Sequence, residues 1–192
     1  MLYKGPGLSD ETFYRGNAPM TKSEVRAVTL SKLRLGPDAK ALDIGAGSGS
    51  ITIEMALQAT KGQVWGIERK DDAYEVFLEN IRRFKCDNIK PVKGLAPADL
   101  PDEMFDGIVV GGSGGQMENI VAYCENHLNR NGRLVINIIT IENLSRAVDA
   151  IKAHAFDDLD VIQMQVSRGR AVGSVTMMEA MNPIYIISAT RR

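Results

Sequence analysis

The chain has 192 residues, is 44% hydrophobic and 24% charged, and carries a formal net charge of −1, which together predict a soluble globular protein of one domain. It has no apolar run near the roughly 20 residues that a membrane-spanning helix needs and no apolar core of a secretory signal, so we expect a cytoplasmic protein without a membrane partner. The balanced charge argues against a nucleic-acid partner, and two scattered cysteines and two scattered histidines match no metal-ligand spacing.

The first twenty residues contain prolines and glycines among aromatic and polar residues, and they predict an irregular arm. The sequence Thr-Lys-Ser-Glu from Thr21 to Glu24 has the pattern of a capping box, in which the Thr21 side chain accepts a hydrogen bond from the Glu24 amide. Apolar residues at mostly helical spacing follow, and Gly36–Pro37 ends the predicted helix. We therefore expect an arm over 1–20 and a single domain over 21–192.

A glycine-rich turn follows the first predicted strand. Asp43 is followed by three alternating glycines that end at Gly49, and Glu68 stands nineteen residues further on, at the end of the next apolar strand. The dinucleotide fingerprint would need a glycine at position 50 or 52, which are Ser50 and Thr52. A carboxylate at the second strand end suits the two hydroxyls of a ribose. The alternatives are a tight strand-to-helix turn without a ligand and an exposed acid that pairs with its basic neighbours.

Strands and helices alternate from the first strand onward, which predicts an α/β fold with right-handed crossovers and a mainly parallel sheet between two layers of helices. The predicted strands lie near residues 40–44, 63–67, 89–93, 107–110, 133–139, 159–166 and 183–189. The helices between them lie near residues 49–59, 71–84, 116–128 and 144–154. No helix separates the last two strands, which we expect to close the sheet as an antiparallel hairpin joined by a long loop over 167–182.

The glycine turn and Glu68 resemble the nucleoside site of class I S-adenosylmethionine-dependent methyltransferases. The resemblance implies a Rossmann-like seven-stranded sheet and S-adenosylmethionine as the cofactor. After the third strand this class often has Gly-Asp-Ala, whereas Leu95 replaces the acid here, so the adenine would rest on backbone and apolar groups. The residues that the resemblance assigns to the cofactor are Thr21, Asp43, Gly45, Ala46, Gly47, Ser48, Gly49, Glu68 and Ala96. For Thr21 the alternative is a helix cap alone.

Three further patches carry a closer resemblance, and they lie at 19–26, at 109–115, and at 167–171 together with 176–178 and 182–183. Together with the glycine turn they are similar to the decarboxylating precorrin methyltransferases of cobalamin biosynthesis. That family implies methylation of C15 of cobalt-precorrin-6B (or precorrin-6B), removal of CO₂ from the acetate on C12, and a homotetramer. Its most specific feature here is the Gly-Gly-Ser-Gly-Gly loop after the fourth strand.

The implied substrate is a tetrapyrrole, a large disc rimmed with carboxylates, so its site should offer basic side chains and an open, flat wall. The candidates are Lys22, Arg26, Arg168 and Arg170, together with the loop residues Gly111, Gly112, Ser113, Gly114 and Gly115. The alternatives are that the two later arginines pair with acids across a subunit interface and that the glycines only open the next helix. Methyl transfer depends on alignment of the reactants, so no catalytic base is assigned.

Two other functions are compatible with the first half of the chain. One is a class I methyltransferase that acts on RNA, which the balanced charge and the 6% aromatic content disfavour. The other is a nucleotide-binding module without chemistry.

Overall fold

The computed structural model describes residues 5–192. One 3₁₀ turn, Asp10–Thr12, lies in the N-terminal arm. The helices are α1 Ser23–Leu33, α2 Ser50–Gln58, α3 Asp71–Phe84, α4 Met117–His127 and α5 Ile141–Ala153. The strands are β1 Lys40–Ile44, β2 Gln63–Glu68, β3 Ile89–Lys93, β4 Phe105–Val110, β5 Leu128–Ile138, β6 Phe156–Met164, β7 Ser167–Val172, β8 Val175–Ala180 and β9 Ile184–Arg191.

Seven strands form one sheet in the order β3-β2-β1-β4-β5-β9-β6. The strands from β1 to β5 run parallel, and β9 lies antiparallel between β5 and β6. The predicted seven-stranded, mainly parallel sheet with an antiparallel C-terminal pair is therefore confirmed. Strand order reverses between β1 and β4, which is where open α/β sheets bind ligands.

Helices cover both faces of the sheet, because side chains of successive strand residues point to opposite sides. In β1, Ala41 packs with the apolar side chains of α1, α2 and α3, whereas Leu42 and Ile44 pack with those of α4 and α5. Both clusters consist of buried hydrophobic residues. Among residues 5–192, no helix is both long and apolar enough to cross a membrane.

The segment between β6 and β9 differs from the predicted loop. Strands β7 and β8 form a separate two-stranded antiparallel sheet, and Gly173 in its turn adopts a φ of +60°. Every residue of β8 is exposed, including Val175, Met177 and Met178. The prediction of a loop was therefore wrong. Because the hairpin has no buried face, its sequence lacks the alternating apolar pattern by which a strand is predicted.

The predicted capping box is also wrong. Helix α1 begins at Ser23, and Lys22 occupies the cap position without a side-chain hydrogen bond to the helix. The Glu24 carboxylate accepts from the Arg168 guanidinium at 2.8 Å instead of reaching back to the cap. This ion pair with a distant residue takes the place of the predicted capping hydrogen bond, and it joins α1 to β7.

The N-terminal arm packs against the domain along residues 5–20. Its side chains Leu8 and Phe13 are buried in the cluster beneath α1 and α2. The Arg26 guanidinium, which is 0% exposed, donates to Glu54 Oε1 at 2.6 Å and to Asp10 Oδ1 at 2.9 Å. Burial raises the pKa of Glu54, and the ion pair with Arg26 opposes that change.

Candidate active site

A cleft with a volume of about 200 Å³ opens at the carboxyl ends of β1, β2, β3 and β4. It brings together residues that lie far apart in the sequence. The predicted site residues that line it are Gly45, Gly47, Glu68, Ala96, Gly111, Gly112, Ser113 and Gly114. Thr21, Asp43, Ala46, Ser48, Gly49 and Gly115 are not among its lining residues.

The three glycines of the turn are required by contacts within the chain. A Cβ on Gly45 would lie 2.9 Å from the Gly112 nitrogen, and a Cβ on Gly47 would lie 2.7 Å from the Pro19 carbonyl oxygen. A Cβ on Gly49 would overlap the Phe77 ring. All three glycines have a positive φ, which strains any other residue. Only Gly45 and Gly47 also face the cleft, so Gly49 serves the packing of α2 against α3.

Among residues 5–192, Glu68 is the only carboxylate that lines the cleft. It is 7% exposed; its Oε2 accepts from Gly47 N at 2.9 Å and its Oε1 accepts from Lys70 N at 2.8 Å. The alternative of an exposed acid that pairs with basic side chains is therefore wrong. A carboxylate has about four acceptor positions, so two remain for a ligand in the cleft.

Asp43 lies beneath the glycine turn and does not reach the cleft, which corrects its assignment to the cofactor. It is 1% exposed, and its Oδ2 accepts from the Thr52 hydroxyl at 2.6 Å. Burial, opposed by the hydrogen bond from Thr52, raises the pKa of Asp43 to about 7. The contact joins the end of β1 to α2 and holds the turn between them.

The ends of β3 and β4 form the other walls. Ala96 is buried and Leu95 is exposed. Sequence analysis missed the role of Asp99, whose Oδ2 accepts from Leu95 N at 2.8 Å and fixes this wall. Gly111 N donates to the Ile44 carbonyl at 2.8 Å, which holds the start of the glycine loop against β1.

The four cations predicted to bind substrate are all engaged within the protein. Arg26 is fully buried, so its assignment to substrate is wrong. Lys22 lies 3.4 Å from Asp10, and Arg170 lies 3.3 Å from Glu179 across the β7–β8 hairpin. Arg168 pairs with Glu24, and its pKa is raised mainly by that hydrogen bond. The two hairpin arginines therefore do not form a pair of forks open to one ligand in this structure.

Residues that sequence analysis did not assign to the site also line the cleft, and Pro19, Arg69 and Lys70 are among them. Pro19, at the end of the arm, accepts from Ser48 N at 3.0 Å and so closes the arm onto the glycine turn. Arg69 and Lys70 follow Glu68 and are exposed at the mouth. The only feature of the sequence that could have indicated these two cations is their position directly after an acid at a strand end.

A second, smaller hollow lies on the other side of the Gly111–Ser113 segment. Asn137, near the end of β5, lines it, and its Oδ1 accepts from the Thr29 hydroxyl at 3.1 Å. Its Nδ2 is buried and has no hydrogen-bond partner among the described residues. Since the glycine segment is shared by both cavities, it forms a thin wall without side chains at two of its three positions.

Comparison with known proteins shows one consistent relationship. The family model described as "Precorrin methyltransferase domain" matches residues 12–191. The cobalt-precorrin-6B C(15)-methyltransferase (decarboxylating) of Salmonella typhimurium is 38% identical over 185 residues, which are 96% of each chain. The solved structure of precorrin-6Y C5,15-methyltransferase from Geobacter metallireducens has a TM-score of 0.89 at 36% identity, covering 96% of this chain and 97% of that one. The structure of precorrin 8W decarboxylase from Methanobacterium thermoautotrophicum has a TM-score of 0.86 at 29% identity, covering 94% and 98%.

Proposed function

The chain belongs to the precorrin methyltransferase family, and we propose on that basis that it methylates C15 of cobalt-precorrin-6B and decarboxylates the acetate on C12, with S-adenosylmethionine as methyl donor. Its similarity to the Salmonella enzyme over nearly the full length of both chains supports this substrate. The observation that carries the proposal is the position of Glu68 in a cleft where the end of β4 supplies a wall of glycines.

The residues of the cleft fit the cofactor. Glu68 has two free acceptor positions for the ribose hydroxyls, and the backbone bonds from Gly47 and Lys70 fix its orientation. Leu95 and Ala96 line the cleft and would offer an apolar surface to the adenine. When bound, S-adenosylmethionine supplies a methyl group on a positively charged sulfur.

The protein contributes mainly alignment to the methyl transfer. Glu68 and the glycine turn would hold the donor, while Gly111, Gly112 and Ser113 leave space for a flat acceptor to approach it. Correct alignment of two reactants contributes up to roughly 7–11 kcal/mol to lowering a barrier. Glu68 accepts two backbone hydrogen bonds, and no histidine or second acid of the described residues 5–192 lines the cleft, so we assign no general base.

The proposal extends to assembly and location. We propose a homotetramer in which the β7–β8 hairpin contributes to the contacts between subunits, since Val175, Met177 and Met178 are exposed on it. We further propose a cytoplasmic protein with a single domain over 21–192 and the arm over 1–20, of which residues 1–4 lie outside the described residues. The arm completes the cleft through Pro19.

The test is incubation of the protein with a cobalt-precorrin-6B fraction and S-adenosylmethionine that carries an isotopic label in the methyl group. The proposal predicts a product that has gained the labelled methyl group and lost one CO₂. Glu68→Ala, at equal protein concentration, serves as the control and should form much less product. If transfer RNA is offered in a parallel incubation, labelled RNA together with an unchanged tetrapyrrole would contradict the proposal.

A further inference from the structure

The ion pairs described above leave the cleft with few cations that remain free to bind a substrate. Lys22, Arg26, Arg168 and Arg170 each contact a carboxylate of the protein itself. A polycarboxylated acceptor must nevertheless meet positive charge, because a carboxylate that loses its water without a partner is strongly destabilised. The basic residues that line the cleft are Arg69 and Lys70.

Arg69 has its backbone fixed and its side chain free. Glu68 accepts from the next amide, Lys70 N, which also opens α3, so the backbone on the C-terminal side of Arg69 is held in place. The residue is exposed, and its guanidinium forms no hydrogen bond or ion pair with any residue in 5–192. An arginine at the mouth of a cleft without a protein partner has all of its donors available to a ligand.

The Arg69 guanidinium lies beside the glycine loop that follows β4 and forms one wall of the cleft. Arg69 Nη1 lies 3.6 Å from the point that a Cβ on Gly114 would occupy. A Cβ on Gly112 or on Gly115 would meet no atom within 4 Å, so the loop is open at these two positions. A disc placed on this wall therefore brings its rim to the Arg69 fork.

Lys70 is placed differently. It also borders a neighbouring hollow that contains Asp71 and Asp72. Two acids near an ammonium reduce its attraction for an external carboxylate. Arginine, in addition, matches a carboxylate with two parallel hydrogen bonds, which a lysine does not.

We propose that Arg69 binds a carboxylate at the rim of the methyl acceptor and thereby selects polycarboxylated acceptors. This inference rests on the proposed function of the cleft. Arg69 acts as a specificity residue in it and takes no part in moving a proton. Its effect belongs to acceptor binding, since its guanidinium faces the loop of β4 while the cofactor's ribose would be held by Glu68.

The experiment compares Arg69→Ala and Arg69→Lys with the natural protein. Arg130→Ala is the matched control, because Arg130 is an exposed arginine without an ion pair among residues 5–192 and lies near the start of β5, at the opposite end of the sheet. The KM for cobalt-precorrin-6B and kcat are measured, together with the calorimetric Kd for S-adenosylhomocysteine. The Kd for cobyrinic acid, a heptacarboxylate corrinoid, and for its heptamethyl ester is measured with S-adenosylhomocysteine present.

Arg69→Ala is expected to raise the KM and the Kd for cobyrinic acid about tenfold, the lower limit for a hydrogen bond to a charged group. Its affinity for S-adenosylhomocysteine should stay within about twofold of the natural value. Arg69→Lys should fall between the two, and Arg130→Ala should match the natural protein. The heptamethyl ester should bind the natural protein and Arg69→Ala equally, because it presents no carboxylate.

Two results would overturn the inference while the proposed function stands. One is turnover by the natural protein with an unchanged KM and cobyrinic acid affinity in Arg69→Ala. The other is a loss of S-adenosylhomocysteine affinity with an unchanged KM, which would place Arg69 on the cofactor. A natural protein that neither methylates cobalt-precorrin-6B nor binds cobyrinic acid would instead refute the proposed function.

Discussion

Replacement of Glu68 by alanine should weaken the binding of S-adenosylhomocysteine by one to two decades. The carboxylate is almost fully buried at the base of the cleft, and its two oxygens accept from Gly47 N and Lys70 N at 2.9 and 2.8 Å. The ribose hydroxyls would add hydrogen bonds to a charged group, which contribute about 1.5–3 kcal/mol. That free energy corresponds to roughly a 10–100-fold increase in Kd.

Isothermal titration calorimetry measures the change, with Glu103→Ala as a control that removes an acid from the exposed pair with Lys40. Thermal unfolding of each variant separates a loss of ligand contacts from a loss of structure, because Glu68 also holds the glycine turn. Glu68→Gln keeps the size of the side chain and one acceptor oxygen, so its Kd should lie between those of the natural protein and Glu68→Ala. An unchanged Kd in a folded Glu68→Ala protein, with only the affinity for the tetrapyrrole reduced, would refute the assignment.

Three further predictions concern the framework of the cleft. Gly47→Val should lower both the thermal midpoint and the affinity for S-adenosylhomocysteine, because its Cβ would lie 2.7 Å from the Pro19 carbonyl oxygen at a φ of +57°; a natural melting curve would contradict this. Arg26→Ala should reduce the free energy of unfolding by about 3–5 kcal/mol, since it leaves the buried Glu54 without its cation, and urea unfolding checks it. Burial raises the pKa of Asp43 to about 7 in the folded state from about 3.9 when unfolded. The free energy of unfolding that the protonated Asp43 contributes is therefore complete below about pH 4 and is lost as the pH rises through about 7. The loss is about 4 kcal/mol relative to Asp43→Asn. Parallel pH profiles of the free energy of unfolding for the two proteins would contradict this.

The sequence was sufficient for the order along the chain of the helices and of the strands in the seven-stranded sheet, and for a cleft at the carboxyl ends of the parallel strands, but not for β7 and β8. Strand β1 and helix α3 have the predicted bounds, because their apolar patterns and turn residues are local. Glu68 and the Gly111–Ser113 segment meet in one cleft, which follows from the rule that parallel strands end at one edge. Features set within a few residues, or by the topology as a whole, were therefore predictable.

The misassigned residues depend on contacts between distant parts of the chain. Arg26 has the pattern of a free cation on a helix, but its partners Asp10 and Glu54 come from the arm and from α2. Glu24 fits a capping box locally, whereas its partner Arg168 lies 144 residues away. Long-range ion pairs leave no periodic signal in a single sequence, so they appear only in the folded structure.

The glycine turn shows a different limit of prediction from a single sequence. Its spacing predicted close approach of a ligand, and the structure shows that the chain itself approaches at all three glycines. The two requirements produce the same residue type, because both exclude a Cβ. Only the contacts separate Gly49, which packs against Phe77, from Gly45 and Gly47, which also face the cleft.

The position of the nucleoside in the cleft can be tested by a crystal structure of the protein with S-adenosylhomocysteine. We expect both ribose hydroxyl oxygens to lie within hydrogen-bond distance of the Glu68 carboxylate, with the adenine against Leu95 and Ala96 and the sulfur facing the Gly111–Ser113 segment. A nucleoside bound away from Glu68, or a sulfur that faces away from that segment, would contradict it.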